Sequence, residues 1–396
     1  MQAALLAAAA GFCILLSPPP PAFQRPLICA EVRFIGSYAH ILVNCDADSF
    51  IAFAEHPSRV LEEKSMRQTR PGYAVLGTAL SIPFRVTGAF TGNPYYAGYV
   101  LLNFALLVSS ALMLSNLIGV KSLLAPSALV PASILLVNHI TKAFLWTPHQ
   151  QVMGLFVSML SIWIARDVIS GRLGMTFRNA VITGLLTGIG CLVYGAFVLV
   201  PASITVALWI FRRRDAVTNR LASTIALSIG TALPFIAWRS FVIARTGSFY
   251  SHETEHYHEF VWTAERWREG TFVSALFENL GAFFQTFPRA LALPVAFIAA
   301  AIALGISRNG MRGRGTKEPA IQASLCLLAA AVPFYGLMGF YDPRLTAALI
   351  PPLVVIAGTL TQNAFDGPTR SPIPEPITIA ALAYVAIVIL IPGPYA

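Results

Sequence analysis

The sequence predicts an all-α fold: a polytopic membrane helical bundle of about eleven spans, with a large first extracytoplasmic loop carrying interfacial helices. Three observations predict it. Of 396 residues, 56% are hydrophobic and only 11% charged, with mean hydropathy +0.68, whereas a soluble domain carries about a quarter charged residues. Apolar stretches of roughly 20 residues, the length a bilayer requires, recur along most of the chain. The net charge of +9 is mostly arginine in short loops, where positive residues set membrane orientation. Lysine is confined to Lys64, Lys121, Lys142 and Lys317. With no Lys-rich tract, the lipid bilayer is the expected partner and nucleic acid is not.

The first stretch, 1–17, is apolar and ends in the run Pro18–Pro21. No basic residue precedes it, so a retained signal anchor is favoured over a cleaved signal peptide. Further candidate spans are 96–119, 122–140, 150–166, 221–244, 289–307, 321–341, 345–362 and 376–391. The block 179–211 is too long for one upright helix and has arginines on both flanks: Arg166, Arg172 and Arg178 before it, Arg212, Arg213, Arg214 and Arg220 after it. It must therefore enter and return, and Tyr194-Gly195 near its middle is a turn candidate. The basic loops 166–178, 212–220 and 308–317 then all fall on the cytoplasmic side, with a cytoplasmic N-terminus and an extracytoplasmic C-terminus. Residues 1–396 form a single transmembrane domain with no separate soluble domain. Its first extracytoplasmic loop is 18–95 and a later one is 245–288. The segment 73–90, broken by Gly77, Pro83, Arg85 and Gly88, reads as an interfacial helix, since making it a span would invert every basic loop downstream.

Of five cysteines, Cys13, Cys191 and Cys326 fall in apolar spans and read as small core residues. Cys29 and Cys45 fall in the first loop, in an oxidising compartment on this topology, and are either disulfide-linked or two independent thiols.

The unusual polar residues gather on the outer face. Asp46 and Asp48 stand two apart before an apolar, helix-like run. They read as helix caps for a helix starting near Ser49, as a general base, or as ligands for a hard divalent cation. Arg67 and Arg70 precede the interfacial helix, either as headgroup anchors or as a clamp for a phosphate or diphosphate. Tyr341-Asp342-Pro343-Arg344 is a charged turn between two apolar spans. It is either a local ion pair or a functional site, because charge at membrane depth is costly.

In these segments the chain resembles the GT-C superfamily of membrane glycosyltransferases, in the branch of the aminoarabinose and protein O-mannosyl transferases. Asp46, Phe50 and Ala54 match that family's acidic residue, aromatic and small residue in the first loop, with Phe for the commoner Tyr. Arg70-Pro71-Gly72-Tyr73 resembles its Arg-Pro-aromatic patch, and Thr147-Pro148-His149 the polar turn before its fourth span. Arg344 to Pro352 resembles its late Arg and Pro-rich helix start, although Leu345 stands where an Arg-Tyr pair is usual. The resemblance implies sugar transfer from a polyprenyl-phosphate-linked donor to a lipid, glycan or protein acceptor, at the outer face of the plasma (inner) membrane. In that scheme Asp46 is the base, assisted by Asp48, and Arg67, Arg70 and Arg344 hold the donor phosphate. His149, Tyr194, His252, Glu255, His256 and Asp342 are further candidates for substrate contact. No cofactor is required, and a divalent metal ion stays open.

Two rival functions accompany this one. A transporter or lipid flippase would place charges at mid-membrane in broken helices, whereas here they concentrate at one face. The stretch His252-Glu253-Thr254-Glu255-His256 formally matches a zinc-protease motif, but no third-ligand helix is evident. A solvated loop or substrate lid is the preferred reading of that segment.

Overall fold

A computed structural model describes residues 1–18, 26, 28–34, 39–62, 64–88, 92–309, 318–365 and 375–391. The predicted loop 308–317 and the Pro18–Pro21 run lie largely outside these residues. Helix α1 (Gln2–Leu15) leads to a hairpin of strands β1 (Ile28–Phe34) and β2 (Ala39–Asn44), then α2 (Asp46–Glu55), a 3-10 turn (Pro57–Leu61) and α3 (Pro71–Thr87). The chain continues through α4 (Pro94–Ile118), α5 (Pro126–Leu136), α6 (His139–Phe144) and α7 (Gln151–Ile169). Helix α8 (Phe177–Cys191), a 3-10 turn (Gly195–Val198), α9 (Leu199–Phe211) and α10 (Val217–Thr246) follow. Three short helices, α11 (His252–Tyr257), α12 (Val261–Arg268) and α13 (Phe272–Gln285), precede α14 (Phe287–Asn309) and α15 (Pro319–Met338). The last elements are α16 (Pro343–Thr346), a 3-10 turn (Ala347–Leu349), α17 (Ile350–Phe365) and α18 (Glu375–Leu390).

The result is a multi-pass membrane helical bundle, nearly all-α. Among the described residues six helical segments are long and apolar enough to cross a bilayer, and four shorter apolar helices, including α1 and α18, accompany them. Two departures from expectation stand out. The first loop contains an antiparallel hairpin, Glu31 opposite Leu42 and Val32 opposite Ile41, where the sequence predicts interfacial helices and no strands. The expected span 122–140 is interrupted: α5 has 11 residues, or about 16 Å of helix, short of a bilayer's hydrocarbon. Asn138 stops it by capping the next helix, its side-chain oxygen accepting from the N–H groups of Ile140 and Thr141 while the Thr141 hydroxyl accepts from Asn138 N–H. The block 179–211 does divide at Tyr194-Gly195 into two short helices. Helix α3 packs along the start of α4 and exposes Val75, Ile82 and Val86. It is not among the spans.

Lipid-facing composition is visible on α8, α10 and α18, where Leu186, Ile229 and Leu382 are each about two-thirds exposed. Helices α8 and α10 approach at backbone distance through Gly184 and Gly188, where a Cβ would stand 2.6 Å from Leu227 O and 2.4 Å from Thr231 O. Small residues four apart allow this packing in membranes, where no hydrophobic force draws helices together.

Contacts between helix ends divide the bundle into two poles. At one, Gln2 bonds Ser122, Arg166 bonds the Asn116 carbonyl, and Ser223 bonds the Met175 carbonyl. The basic loops around Arg172 and Arg212 belong to this pole. At the other, Trp146 bonds the Gly11 carbonyl, Lys142 caps the carbonyl end of α18 at Val388 and Ile389, and Phe260 N–H bonds the Met338 carbonyl. The hairpin, α2, α3 and α11–α13 all gather at this second pole.

Candidate functional site

Asp46 owes its position to covalent and hydrogen-bonded neighbours. Cys45 and Cys29 form a disulfide with Cα atoms 4.7 Å apart, tying the start of α2 to β1. Helix α2 begins at Asp46 rather than near Ser49, and neither carboxylate caps it. Asn44 Oδ1 accepts the Asp46 N–H at 2.9 Å instead. The Asp46 carboxylate, 51% exposed, is free to approach His149 Nε2, 3.4 Å away.

His149 is held with little freedom. Its ring is buried, stacked on Phe144 at 4.4 Å and edge-on to Phe50 at 5.5 Å. The turn carrying it is pinned by Asn103, whose amide donates to the carbonyls of Phe144, Leu145 and Thr147. Gln151 N–H donates to Nδ1 at 3.3 Å, so the network assigns the proton of a neutral ring to Nε2, facing Asp46. Burial lowers the His149 pKa to about 4, against the opposing effect of Asp46. The His149 hydrogen bond, aided by Arg67 and Arg344, holds Asp46 below its ordinary 3.8 despite desolvation. The pair is therefore a carboxylate oriented by a neutral imidazole.

The arginines converge from separate elements. The Arg67 guanidinium lies 3.9 Å over the Phe50 ring and donates to Ser49 Oγ at 3.2 Å. Burial lowers its pKa, opposed by Asp46. Arg70 pairs with Glu253 at 3.2 Å. Arg344 pairs with Asp342 at 3.2 Å between Nε and Oδ2, an ion pair without hydrogen-bond alignment. Asp342 also caps α16 by accepting Arg344 N–H at 2.8 Å.

These groups line one cavity of about 570 Å³. Of the residues anticipated from sequence, it takes in Asp46, Arg67, Arg70, His149, Tyr194, His252 and Arg344. Four others, Asp48, Glu255, His256 and Asp342, do not line it. Asp48 is exposed on the first turn of α2, and Glu255 and His256 are exposed on α11. Asp342 is spent on Arg344. Gln150 and Tyr335, which the sequence did not single out, also line it, as do Glu253 and Glu259, weighed from sequence only as part of a His- and Glu-rich metal candidate. The signal for Glu253 was available: Glu253 and Tyr257 are four apart on α11 and both face the cavity, whereas Glu255 is two residues out of phase.

Three buried polar atoms on the wall, Arg67 Nε, Gln150 Oε1 and Tyr335 OH, have no hydrogen-bond partner among the described residues. Buried polar atoms are nearly always satisfied in native proteins, so these three leave the wall able to bond a polar ligand or water. A second cavity of about 690 Å³, walled largely by apolar residues of α9, α10 and α15, shares Val198 and Phe235 with the first. Among the described residues no group of three or more His, Cys, Asp or Glu side chains is arranged to hold a metal ion. His252 and His256 stand ring to ring at 4.2 Å without the third ligand a zinc site needs. No family model matches the chain, and no curated protein or solved structure matches it significantly.

Proposed function

We propose that this chain is a membrane glycosyltransferase that moves a sugar from a polyprenyl-phosphate-linked donor to an acceptor hydroxyl at the extracytoplasmic face. The observation that carries the reading is the pairing of cavities: one polar, with three arginines and the carboxylates of Asp46, Glu253 and Glu259, and a largely apolar one that shares Val198 and Phe235 with it. A ligand with a phosphate head and a long hydrocarbon tail fits that pair. In the proposed topology the arginine-rich pole is cytoplasmic and the cavity pole faces outward, with about eleven spans in the plasma membrane. Nucleotide sugars are absent there, so a lipid must deliver the activated donor.

In the reaction, the acceptor oxygen attacks the anomeric carbon and the bond from that carbon to the phosphate oxygen breaks. The phosphate leaves with both electrons, its charge held by Arg67, Arg70 and Arg344. The acceptor proton passes to Asp46 as the new bond forms. A carboxylate of low pKa cannot deprotonate a free alcohol beforehand, but it receives the proton readily once the oxygen is bonding to carbon. His149 keeps that carboxylate aimed. The full-length chain in vesicles, offered radiolabelled polyprenyl-phosphate sugars and membrane-extract acceptors, should release polyprenyl phosphate and label an acceptor. Donor movement across the bilayer with the sugar still attached would assign the chain to the transporters instead.

A further inference from the structure

Two of the three arginines are paired by the chain itself: Arg344 with Asp342 of its own turn, and Arg70 with Glu253 from a distant element. Arg70 Nη2 lies 3.2 Å from Glu253 Oε1, and Thr69 Oγ1 donates to Glu253 Oε2 at 3.1 Å. Both carboxylate oxygens are thus held by two neighbouring residues, with the paired side chains only 20% and 13% exposed. A guanidinium and a hydroxyl presented to two oxygens of one anion is also a donor set for a phosphate.

Little else holds the element that carries Glu253. Helix α11 has six residues and none is buried, so packing contributes little to its position beyond a ring contact of Tyr257 with Phe340 at 4.6 Å. It is tied down at its flanks, where Tyr250 N–H donates to Gln68 Oε1 at 2.8 Å and Phe260 N–H donates to the Met338 carbonyl at 3.1 Å. Between α11 and α12 the backbone is left-handed at two residues with side chains, His258 (φ 49°) and Phe260 (φ 60°). Such conformations persist only where surrounding contacts over-determine them, and they relax when those contacts are removed.

We propose that Glu253 is an internal occupant of an anion subsite formed by Thr69 and Arg70, and that the phosphate of an incoming substrate displaces it and frees α11 from the cavity mouth. The proposal rests on the transferase reading for the identity of that phosphate. The exchange itself involves no covalent step: one anion replaces another on the same donors. Substrate binding then loosens the segment 250–260, and removing the Glu253 charge does the same without substrate. Glu253→Gln keeps the shape while weakening the contact with Arg70.

The test uses the full-length chain in nanodiscs of neutral phosphatidylcholine, with farnesyl phosphate as probe and inorganic phosphate beside it. Amide exchange over 250–260 and probe affinity are measured together. In the wild type, farnesyl phosphate should speed exchange in that segment. Glu253→Gln should exchange fast without ligand and bind the probe about fivefold to tenfold more tightly, the worth of one charge-assisted contact. Acceleration by inorganic phosphate as well would assign the subsite to any phosphate; acceleration by farnesyl phosphate alone would assign it to a lipid-borne one. A wild type that binds the probe with no response in 250–260, or a Gln variant with unchanged affinity, would overturn the proposal. A wild type that does not bind the probe contradicts the transferase reading instead. Internal occupancy is then decided by ligand-free exchange alone, where an unchanged Gln variant overturns it.

Discussion

At neutral pH the Asp46–His149 pair carries one charge, on the aspartate, because burial keeps the imidazole neutral and its Nε2 proton faces the carboxylate. This fixes the sign of a pH effect. A carboxylate whose pKa is depressed stays ionised above that pKa, so the acid limb of activity should lie below the ordinary 3.8 of an aspartate. His149→Phe keeps an aromatic ring of similar bulk but removes the donor, leaving desolvation to raise Asp46. The acid limb of kcat/KM should then move to higher pH, and an unmoved limb would remove His149 from this role. The arginines give a second residue-scale prediction. Arg70→Gln or Arg344→Gln should weaken farnesyl phosphate binding about tenfold, the loss of a charge-assisted contact, with thermal stability nearly unchanged. Equal affinities would assign both to anchoring. Asp46, Arg67, Arg70 and Arg344 were legible in the sequence because charge is scarce in this chain and each stands out. Glu253 was not separated from Glu255, since only the phase of a six-residue helix distinguishes them. Asp48 drew notice by proximity to Asp46, but two residues on a helix point to different faces.

At the scale of elements, the spans were legible wherever hydropathy alone decides them, and the turn at Tyr194-Gly195 followed from basic flanks that required a return. The break at Asn138 was hidden because the apolar run continues through it to Ile140, and a single capping side chain ends the helix. The hairpin was hidden as well: its strands are short, its second strand is apolar with only His40 and Asn44 as breaks, and the disulfide that closes it is a tertiary fact. The α8–α10 contact supports a prediction of its own. Gly188→Leu places side-chain atoms where even a Cβ would stand 2.4 Å from the Thr231 carbonyl, so the helices must separate. The variant should lose several degrees of thermal stability in detergent, as overpacking costs on the order of 1–3 kcal/mol. Gly174→Ala, at a glycine with open space around it, should behave as wild type. Equal melting of all three would place the α8–α10 contact outside the cooperative core.

For the whole molecule, the two poles are what the arrangement of charge foretold: arginine loops at one end, the polar cavity at the other. Reporter fusions at Arg213, beside the basic pole, and at Glu265 on α12, beside the cavity, should fall on opposite sides of the membrane. Signals on the same side would refute the topology. In the proposed reaction Asp46 is the group that takes the acceptor proton in the arginine-lined cavity. Asp46→Asn leaves the helix start intact, since Asn44 and not Asp46 receives the first amide, and removes the proton acceptor. Sugar transfer from a polyprenyl-phosphate donor should fall by roughly 100-fold or more, while donor binding stays near wild type. Asp48→Asn, on the exposed face of α2, should lose far less. Full transfer activity in Asp46→Asn, at wild-type donor affinity, would contradict the account.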